Sequence, residues 1–343
     1  MSRTAIVILN FNGKKYLEQF IPSILQFSPP DVQIVVGDNK STDDSLPFLR
    51  SHFPSVSIVE NDRNYGFAGG YNEVLKRVPA DYYFLLNSDV QLRGPWMNLI
   101  SAMKEDPWIV ACQPKILSYR DPEYFEHAGA AGGWMDWFGY PFCKGRVLDR
   151  FEKDLHQYDK PSELFWASGA AMMVRAEWFH RLGGFDADYF AHMEEIDWCW
   201  RVKKCGGRIK SVPSVSVYHI GGGTLPYQSV QKVFLNYRNN LATLYKNESA
   251  GKLMLLLPAR ILLDFVAVLA FVLRKNAKAA AAVCKAYWQF IKWIPSLNRK
   301  RKSFKAICRG KEMNTAGIYR GSLVFDFFIL GKKSFDSIVH ELV

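Results

Sequence analysis

Along residues 1–90 the apolar positions come in short runs separated by polar punctuation. Thr4–Leu9 (TAIVIL) is β-branched and apolar after its first residue, which predicts a strand buried on both faces. Asn12-Gly13 ends it, and Lys14–Leu25 then carries Leu17, Ile21, Ile24 and Leu25 at helical spacing. Val32–Val36 predicts a second strand, stopped by Gly37-Asp38-Asn39. Val56–Val59 predicts a third, Gly69–Val78 a helix after a glycine-rich loop, and Tyr82–Leu86 a fourth strand ending at Asn87-Ser88-Asp89. Strands alternating with helices imply a mostly parallel sheet covered on both faces. Ligands of such sheets sit beyond the carboxyl ends of the strands, where Asn10, Asp38, Asn39 and Asp89 stand. No GxGxxG follows the first strand and no GxxxxGK[ST] occurs, so the glycine cradles of dinucleotide and P-loop folds are excluded. A phosphate compound bound here needs its charge met another way, and a divalent cation is the obvious candidate.

Three later segments carry candidate chemistry. Asp89, exposed at the end of a buried strand, suits Mg²⁺ or Mn²⁺, which take oxygen ligands and share them with substrate phosphates. Glu194–Lys204 predicts a helix on which Glu194, Asp197, Trp198 and Arg201 share a face, with Glu195 pointing elsewhere in the first turn. Its acids also suit a helix start, and Asp197 and Arg201 a surface pair. Val215–Tyr218 predicts a strand, followed by His219 and the run Gly221-Gly222-Gly223-Thr224. Imidazole is a common metal ligand, and glycines let a ligand approach closely. Trp166, Trp198, Trp200, Tyr189 and Phe190 are expected mainly in the core, and Asp186 and Asp188 are candidates for acceptor contact.

Seven ordered motifs, VILNFNG (Val7–Gly13), GDNKSTDDS (Gly37–Ser45), NYGFAGGYN (Asn64–Asn72), LLNSDV (Leu85–Val90), SGAAMMV (Ser168–Val174), FDADYFAHMEEIDWCWR (Phe185–Arg201) and VYHIGGGT (Val217–Thr224), resemble the family 2 inverting glycosyltransferases over about residues 4–245. The set looks most like their rhamnosyltransferase-like bacterial branch. The resemblance implies a GT-A fold that uses a nucleotide-diphosphate sugar and Mg²⁺ or Mn²⁺. It implies that Asp38 accepts from the base N3–H, and that Asn10, Asn39, Asn72 and Ser88 line the donor site. The Asn64–Gly70 loop, with Gly66 and Gly69, would close over it. Asp89 matches the last position of the metal-binding acidic triplet, with Asn87 where the first acid often stands, and His219 matches the later metal-contacting histidine. Glu195 falls at the position of the catalytic base, where the family usually has Asp, so Glu194 and Asp197 stay open as the base. The donor is expected to be dTDP-rhamnose or a UDP-sugar, and the acceptor a lipid-linked or polysaccharide hydroxyl. The alternative is a non-catalytic nucleotide-sugar binding protein of the same fold.

Charge divides the chain. Residues 1–240 hold 26 Lys and Arg against 27 Asp and Glu, whereas residues 241–343 hold 18 against 6. A catalytic domain over 1–245 is therefore expected, followed by a basic, mainly helical region over 246–343. Leu253–Leu273 is apolar but broken by Pro258, Arg260 and Asp264, which favours a helix lying on a membrane or on the domain over one that spans. Ala277–Ile294 predicts a helix with Lys278, Lys285 and Lys292 on nearly one face and aromatics crowding its second half. The basic run 298–305 follows, and Leu323–Leu330 repeats the pattern before Lys332-Lys333. Such a stretch reads as binding an anionic membrane surface, and no nucleic-acid motif accompanies it. Six cysteines form no CxxC pair, so neither a zinc ribbon nor a disulfide scaffold is expected. A cytoplasmic protein, peripheral at the inner face of the plasma membrane, is the resulting expectation.

Overall fold

The computed structural model describes residues 2–221 and 229–339. Its first elements are β1 (Thr4–Asn10), α1 (Lys14–Phe27), β2 (Gln33–Asp38), α2 (Ser45–His52), β3 (Ser57–Glu60), α3 (Gly66–Leu75) and β4 (Tyr82–Asn87). Each expected strand is present, and α3 begins three residues earlier than the pattern suggested. Alternate residues of β1 feed two cores. Ile6 and Ile8 pack with Leu17, Ile21 and Ile24 of α1, while Ala5 and Val7 pack with Tyr71 and Val74 of α3. A strand whose successive side chains point to opposite faces must be apolar throughout when both faces are covered, as this one is.

The chain continues through β5 (Val90–Leu92), α4 (Asn98–Glu105) and β6 (Ile109–Ser118). A group of short strands follows: β7 (Gly133–Asp136), β8 (Pro141–Cys143), β9 (Arg146–Val147), β10 (Arg150–Phe151) and β11 (Glu163–Leu164). Then come β12 (Ala171–Arg175), α5 (Ala176–Arg181), α6 (Glu194–Lys204) and β13 (Arg208–His219). Among the described residues the main sheet has nine strands in the order β11-β13-β6-β12-β4-β1-β2-β3, with β5 on β13. The β1, β2, β3 and β4 pairings are parallel, and β12 is antiparallel between β4 and β6. β13 is much longer than the expected Val215–Tyr218, because it runs parallel beside β6 for most of its length.

The last elements are α7 (Val230–Asn247), α8 (Ala250–Leu273), α9 (Ala277–Ile307), β14 (Ile318–Tyr319), α10 (Leu323–Phe328) and α11 (Phe335–Val339). α9 extends past Ile294 and takes in the basic run. This region shares the core of the preceding one. β14 pairs with β7 in the smaller sheet, Trp293 stacks on Tyr189 at 6.5 Å, and Phe335 packs among Trp134, Phe142 and Tyr158. The six cysteines form no scaffold, but one long-range bond is present: Cys205, at the end of α6, is disulfide-bonded to Cys308, at the end of α9. A separation of 103 residues leaves no local spacing signal.

Candidate active site

Three strand ends emerge side by side, since Asn10 is in register with Asp38 and Leu9 with Asn87. Asn10 Nδ2 donates to Asp38 Oδ1 and to Ser41 Oγ, both at 3.0 Å, and the Ser41 N–H donates to Asp38 Oδ2 at 2.9 Å. Asp38 is thus buried and fixed, while Asn10 Oδ1 is buried with no partner. An unsatisfied buried acceptor is costly, and a ligand donor would satisfy it. The chain passes closely here, for a Cβ on Gly13 would lie 2.5 Å from that oxygen and 3.6 Å from Ser88 Oγ.

The other expected donor residues act on the loop over residues 185–193. Asn39 Nδ2 donates to Asn64 Oδ1 and to the Gly66 carbonyl, and Asn39 Oδ1 accepts from Asn61 and from the Tyr65 N–H. The α3 entry so formed aims the Phe67 and Ala68 N–H groups at the Phe190 carbonyl, at 2.6 and 3.1 Å. Gly66 has φ +71, and a Cβ there would meet the Phe190 carbonyl oxygen at 2.5 Å, so only glycine fits. At Gly69 an added Cβ would lie 3.7 Å from that of Ala187. Asn72 clasps the Phe185 peptide, donating to its carbonyl at 2.8 Å and accepting from its N–H at 2.9 Å. From the other side Asn239 Nδ2 donates to the carbonyls of Tyr189, Ala191 and His192. Phe190, His192 and Met193 have φ of 65, 70 and 72, a strained approach to α6 of the kind found at functional sites.

This clamped loop delivers two acids. Glu194 is buried and Glu195 half-buried, and one carboxylate oxygen of each has no partner. Burial, then the neighbouring charges of Glu195 and Asp197, pushes Glu194 well above the usual carboxylate range. Burial also raises Glu195, to about 7, with the backbone N–H groups of Glu195, Ile196 and Gly169 restraining the rise. Adjacent buried carboxyls resist ionising together, so one proton is kept at neutral pH. Glu195 lies against Gly169, where an added Cβ would be 3.7 Å from its own. The next residue, Ala170, accepts from the Asn87 N–H at 3.0 Å. Glu195 therefore lies one strand over from the carboxyl end of β4, which closes two residues before Asp89.

At that end Asp89 Oδ1 is 3.1 Å from His219 Nε2, and Glu126 Oε2 is 3.0 Å from His219 Nδ1. All three residues are buried. Burial alone would lower the His219 pKa, but the Glu126 and Asp89 carboxylates override it and hold the pKa at about 10. Asn87 Nδ2 is 3.3 Å from His219 Nε2, and Asn87 Oδ1 is buried without a partner. The expected ligands Asp89 and His219 are brought together, while Gly222, Gly223 and Thr224 lie outside the described residues.

Asp197 is corrected as a candidate base. It is fully buried, paired with Arg201 Nε and Lys246 Nζ at 3.0 Å, and accepts from Asn247 at 2.8 Å. A carboxylate saturated by two cations and an amide is a structural ion, and the Asp197–Arg201 pair lies in the core rather than on the surface. Asp186 is similarly taken up by Lys246 at 2.5 Å and by Lys300, which removes it as an acceptor contact, whereas Asp188 pairs with Lys300 at 2.7 Å and stays exposed. A separate group, Asp154, His156 and Asp159, has metal-ligand spacing, but the Lys115 ammonium already bonds both of its aspartates. Glu126 and Asn239 were missed by sequence reasoning. Glu126 sits in irregular chain with no motif, whereas Arg238-Asn239-Asn240, polar residues inside a helix, carried a signal of buried bonding.

Comparison with known proteins bears on this geometry. A model of "Glycosyl transferase family 2" matches residues 5–183. An N-acetylglucosaminyl-diphospho-decaprenol L-rhamnosyltransferase of Mycobacterium tuberculosis is 27% identical over 241 residues, 62% of this chain and 75% of that protein. Rhamnosyltransferase WbbL of Escherichia coli is 25% identical over 225 residues, 62% and 82% of the respective chains. A mannosyltransferase of Pyrobaculum calidifontis, solved with GDP-Man and Mn²⁺, superposes with a TM-score of 0.52 at 16% identity, covering 90% of this chain and 85% of that one. The fold is GT-A.

Proposed function

The chain belongs to glycosyl transferase family 2, and from that premise we propose that it is an inverting transferase moving a sugar from a nucleotide diphosphate to a hydroxyl of a lipid-linked or polysaccharide acceptor. dTDP-rhamnose is the first donor to test and UDP-sugars the second, because two of its relatives are rhamnosyltransferases. In this reading the reaction runs at the cytoplasmic face of the plasma membrane, against anionic lipid and without nucleic acid.

The observation that carries the proposal is Glu195: half-buried, with a free oxygen and a pKa near 7, one strand over from the carboxyl end of β4. An acceptor hydroxyl is a poor nucleophile until a base takes its proton, and a base tuned near the working pH does this best. Glu194, buried and held protonated, leaves the charge to Glu195. Asp38 and the unpartnered Asn10 Oδ1 orient the donor base.

Asp89 Oδ1, His219 Nε2 and the unpartnered Asn87 Oδ1 offer oxygen and imidazole donors that fit Mg²⁺ or Mn²⁺, with the imidazole favouring Mn²⁺. When bound, the ion supplies positive charge to the departing diphosphate. Without an ion the His219 imidazolium donates to both Asp89 and Glu126; with one bound, Glu126 would keep the Nδ1 proton and leave the Nε2 lone pair, freed of its proton, to the ion.

Glu195→Gln keeps size and hydrogen bonding but cannot take a proton. Transfer should fall by about 10²–10⁴-fold while nucleotide binding, followed by calorimetry with Mn²⁺, is unchanged. Lost nucleotide binding with normal folding would assign Glu195 to the donor site instead.

A further inference from the structure

α8 is built inside out. Its buried positions are Leu253, Leu256, Arg260 and Asp264, a single stripe that turns both charges of the helix centre toward the protein. Arg260 donates to the Phe138 carbonyl at 3.1 Å and to Asn240 Oδ1 at 2.7 Å. Asp264 accepts from Tyr140 at 3.0 Å and Tyr287 at 2.7 Å. The opposite face presents Leu255, Ile261, Leu262, Phe265, Val266 and Leu269 to the surroundings, all more than 45% exposed. Soluble proteins rarely expose a contiguous apolar patch of this kind without a partner.

The charge of the surrounding stretch of chain identifies the partner. Asp264 is the only acidic residue between 249 and 311, and it points inward. Arg274, Lys275, Lys278 and Lys292 are exposed, and Trp288, 62% exposed, lies 4.9 Å from the Lys292 ammonium. A second copy of the chain would bring two like-charged stretches together, whereas an anionic bilayer complements the charge and offers hydrocarbon to the face. An interfacial Trp beside Lys suits the headgroup level.

The helix is long and apolar enough to cross a bilayer, an 18-residue stretch of it reaching a mean hydropathy of 2.3. Its midpoint, however, is bonded to the turn at Phe138–Tyr140 and to Asn240 of α7. A spanning α8 would carry that non-helical backbone and its polar neighbours to mid-membrane depth, where lipid cannot satisfy them.

We propose that α8 lies in the plane of an anionic bilayer, its Leu255–Leu269 face sunk among the lipids and its Arg260–Asp264 pair anchoring it to the catalytic core. This deepens the membrane-surface part of the proposed function, and it is tested without sugar transfer, so the two stand or fall separately. Full-length protein is floated with phosphatidylcholine vesicles with and without phosphatidylglycerol, then treated with alkaline carbonate. Wild type should float with the anionic vesicles and be released by carbonate. Phe265→Ser/Leu269→Ser should lower flotation at least tenfold with an unchanged melting temperature and unchanged nucleotide binding. Resistance to carbonate would mean a spanning helix and overturn the in-plane arrangement. Absence of wild-type flotation, equal flotation of the variant, or a lipid-free dimer that the variant dissociates would overturn the proposal outright.

Discussion

Glu195 owes its tuning to burial with no cation to offset it, and this fixes two outcomes. Below about pH 7 it holds its proton and cannot accept another, so kcat/KM for the acceptor should climb with pH and level off above about 7. The same shift is a stability statement, because a raised carboxyl pKa means that the native state holds the proton more tightly. That contribution is complete below the ordinary value of 4.5 and disappears as pH rises through about 7. Glu195→Gln removes the titration, so the melting temperature of the variant should gain on that of the wild type across this window; parallel curves would place the shifted group elsewhere. Glu126 acts through another residue. Replacing it by Gln preserves an acceptor for the His219 Nδ1 proton but removes its charge, which should weaken Mn²⁺ binding by about 10–100-fold, read by the Mn²⁺ paramagnetic signal in a titration.

At the scale of elements, the loop that carries the acids is held by α3 and α7 rather than by its own sequence. Gly66→Ala tests that support directly, since the added methyl meets the Phe190 carbonyl at 2.5 Å on a backbone of φ +71. The variant should lose at least about 1–3 kcal/mol, seen in denaturant unfolding, and lose activity out of proportion to donor affinity as residues 190–193 shift. Much of this level was legible. β1 to β4 showed themselves because doubly covered strands are apolar runs, and Asn10, Asp38 and Asp89 showed themselves as the polar residues that close them. What stayed hidden depends on contacts between distant residues. The Asn72 clasp on Phe185 spans 113 positions, and nothing local reveals that its amide is spent on a peptide. Asp197 looked as free as Glu195 until Lys246 and Asn247, some 50 residues on, were seen to saturate it. The Cys205–Cys308 bond, absent from any spacing pattern, joins the end of α6 to the end of α9. In a reducing cytoplasm that pair would be thiols, leaving packing and ion pairs to hold the two helices.

Those remaining ties belong to one continuous core among the described residues. The division at residues 245 and 246 marks a change of charge but not a break in the core, because Leu253, Phe290, Tyr319, Leu323 and Phe335 belong to the same buried cluster as Val7 and Trp198. The basic run is likewise divided in purpose. Lys300 bonds Asp186 and Asp188, and Arg301 bonds the Tyr245 carbonyl, so part of the charge that suggested a membrane is spent on the loop before α6 and on α7. Phe335 is the sharpest probe of this unity. It lies 5.3 Å from Trp134, 5.8 Å from Phe142 and 5.8 Å from Tyr158, all in the first part of the chain, and its N–H donates to Glu152 at 2.9 Å. Truncating a buried aromatic to alanine costs about 3–5 kcal/mol. If the basic region were an appendage, Phe335→Ala would leave the unfolding of the main sheet untouched. In a shared core the variant lowers the single unfolding transition, and nucleotide, whose proposed site lies in the first part, raises that same transition again. Two separate transitions in calorimetry, with only one responding to nucleotide, would show that the last third folds independently.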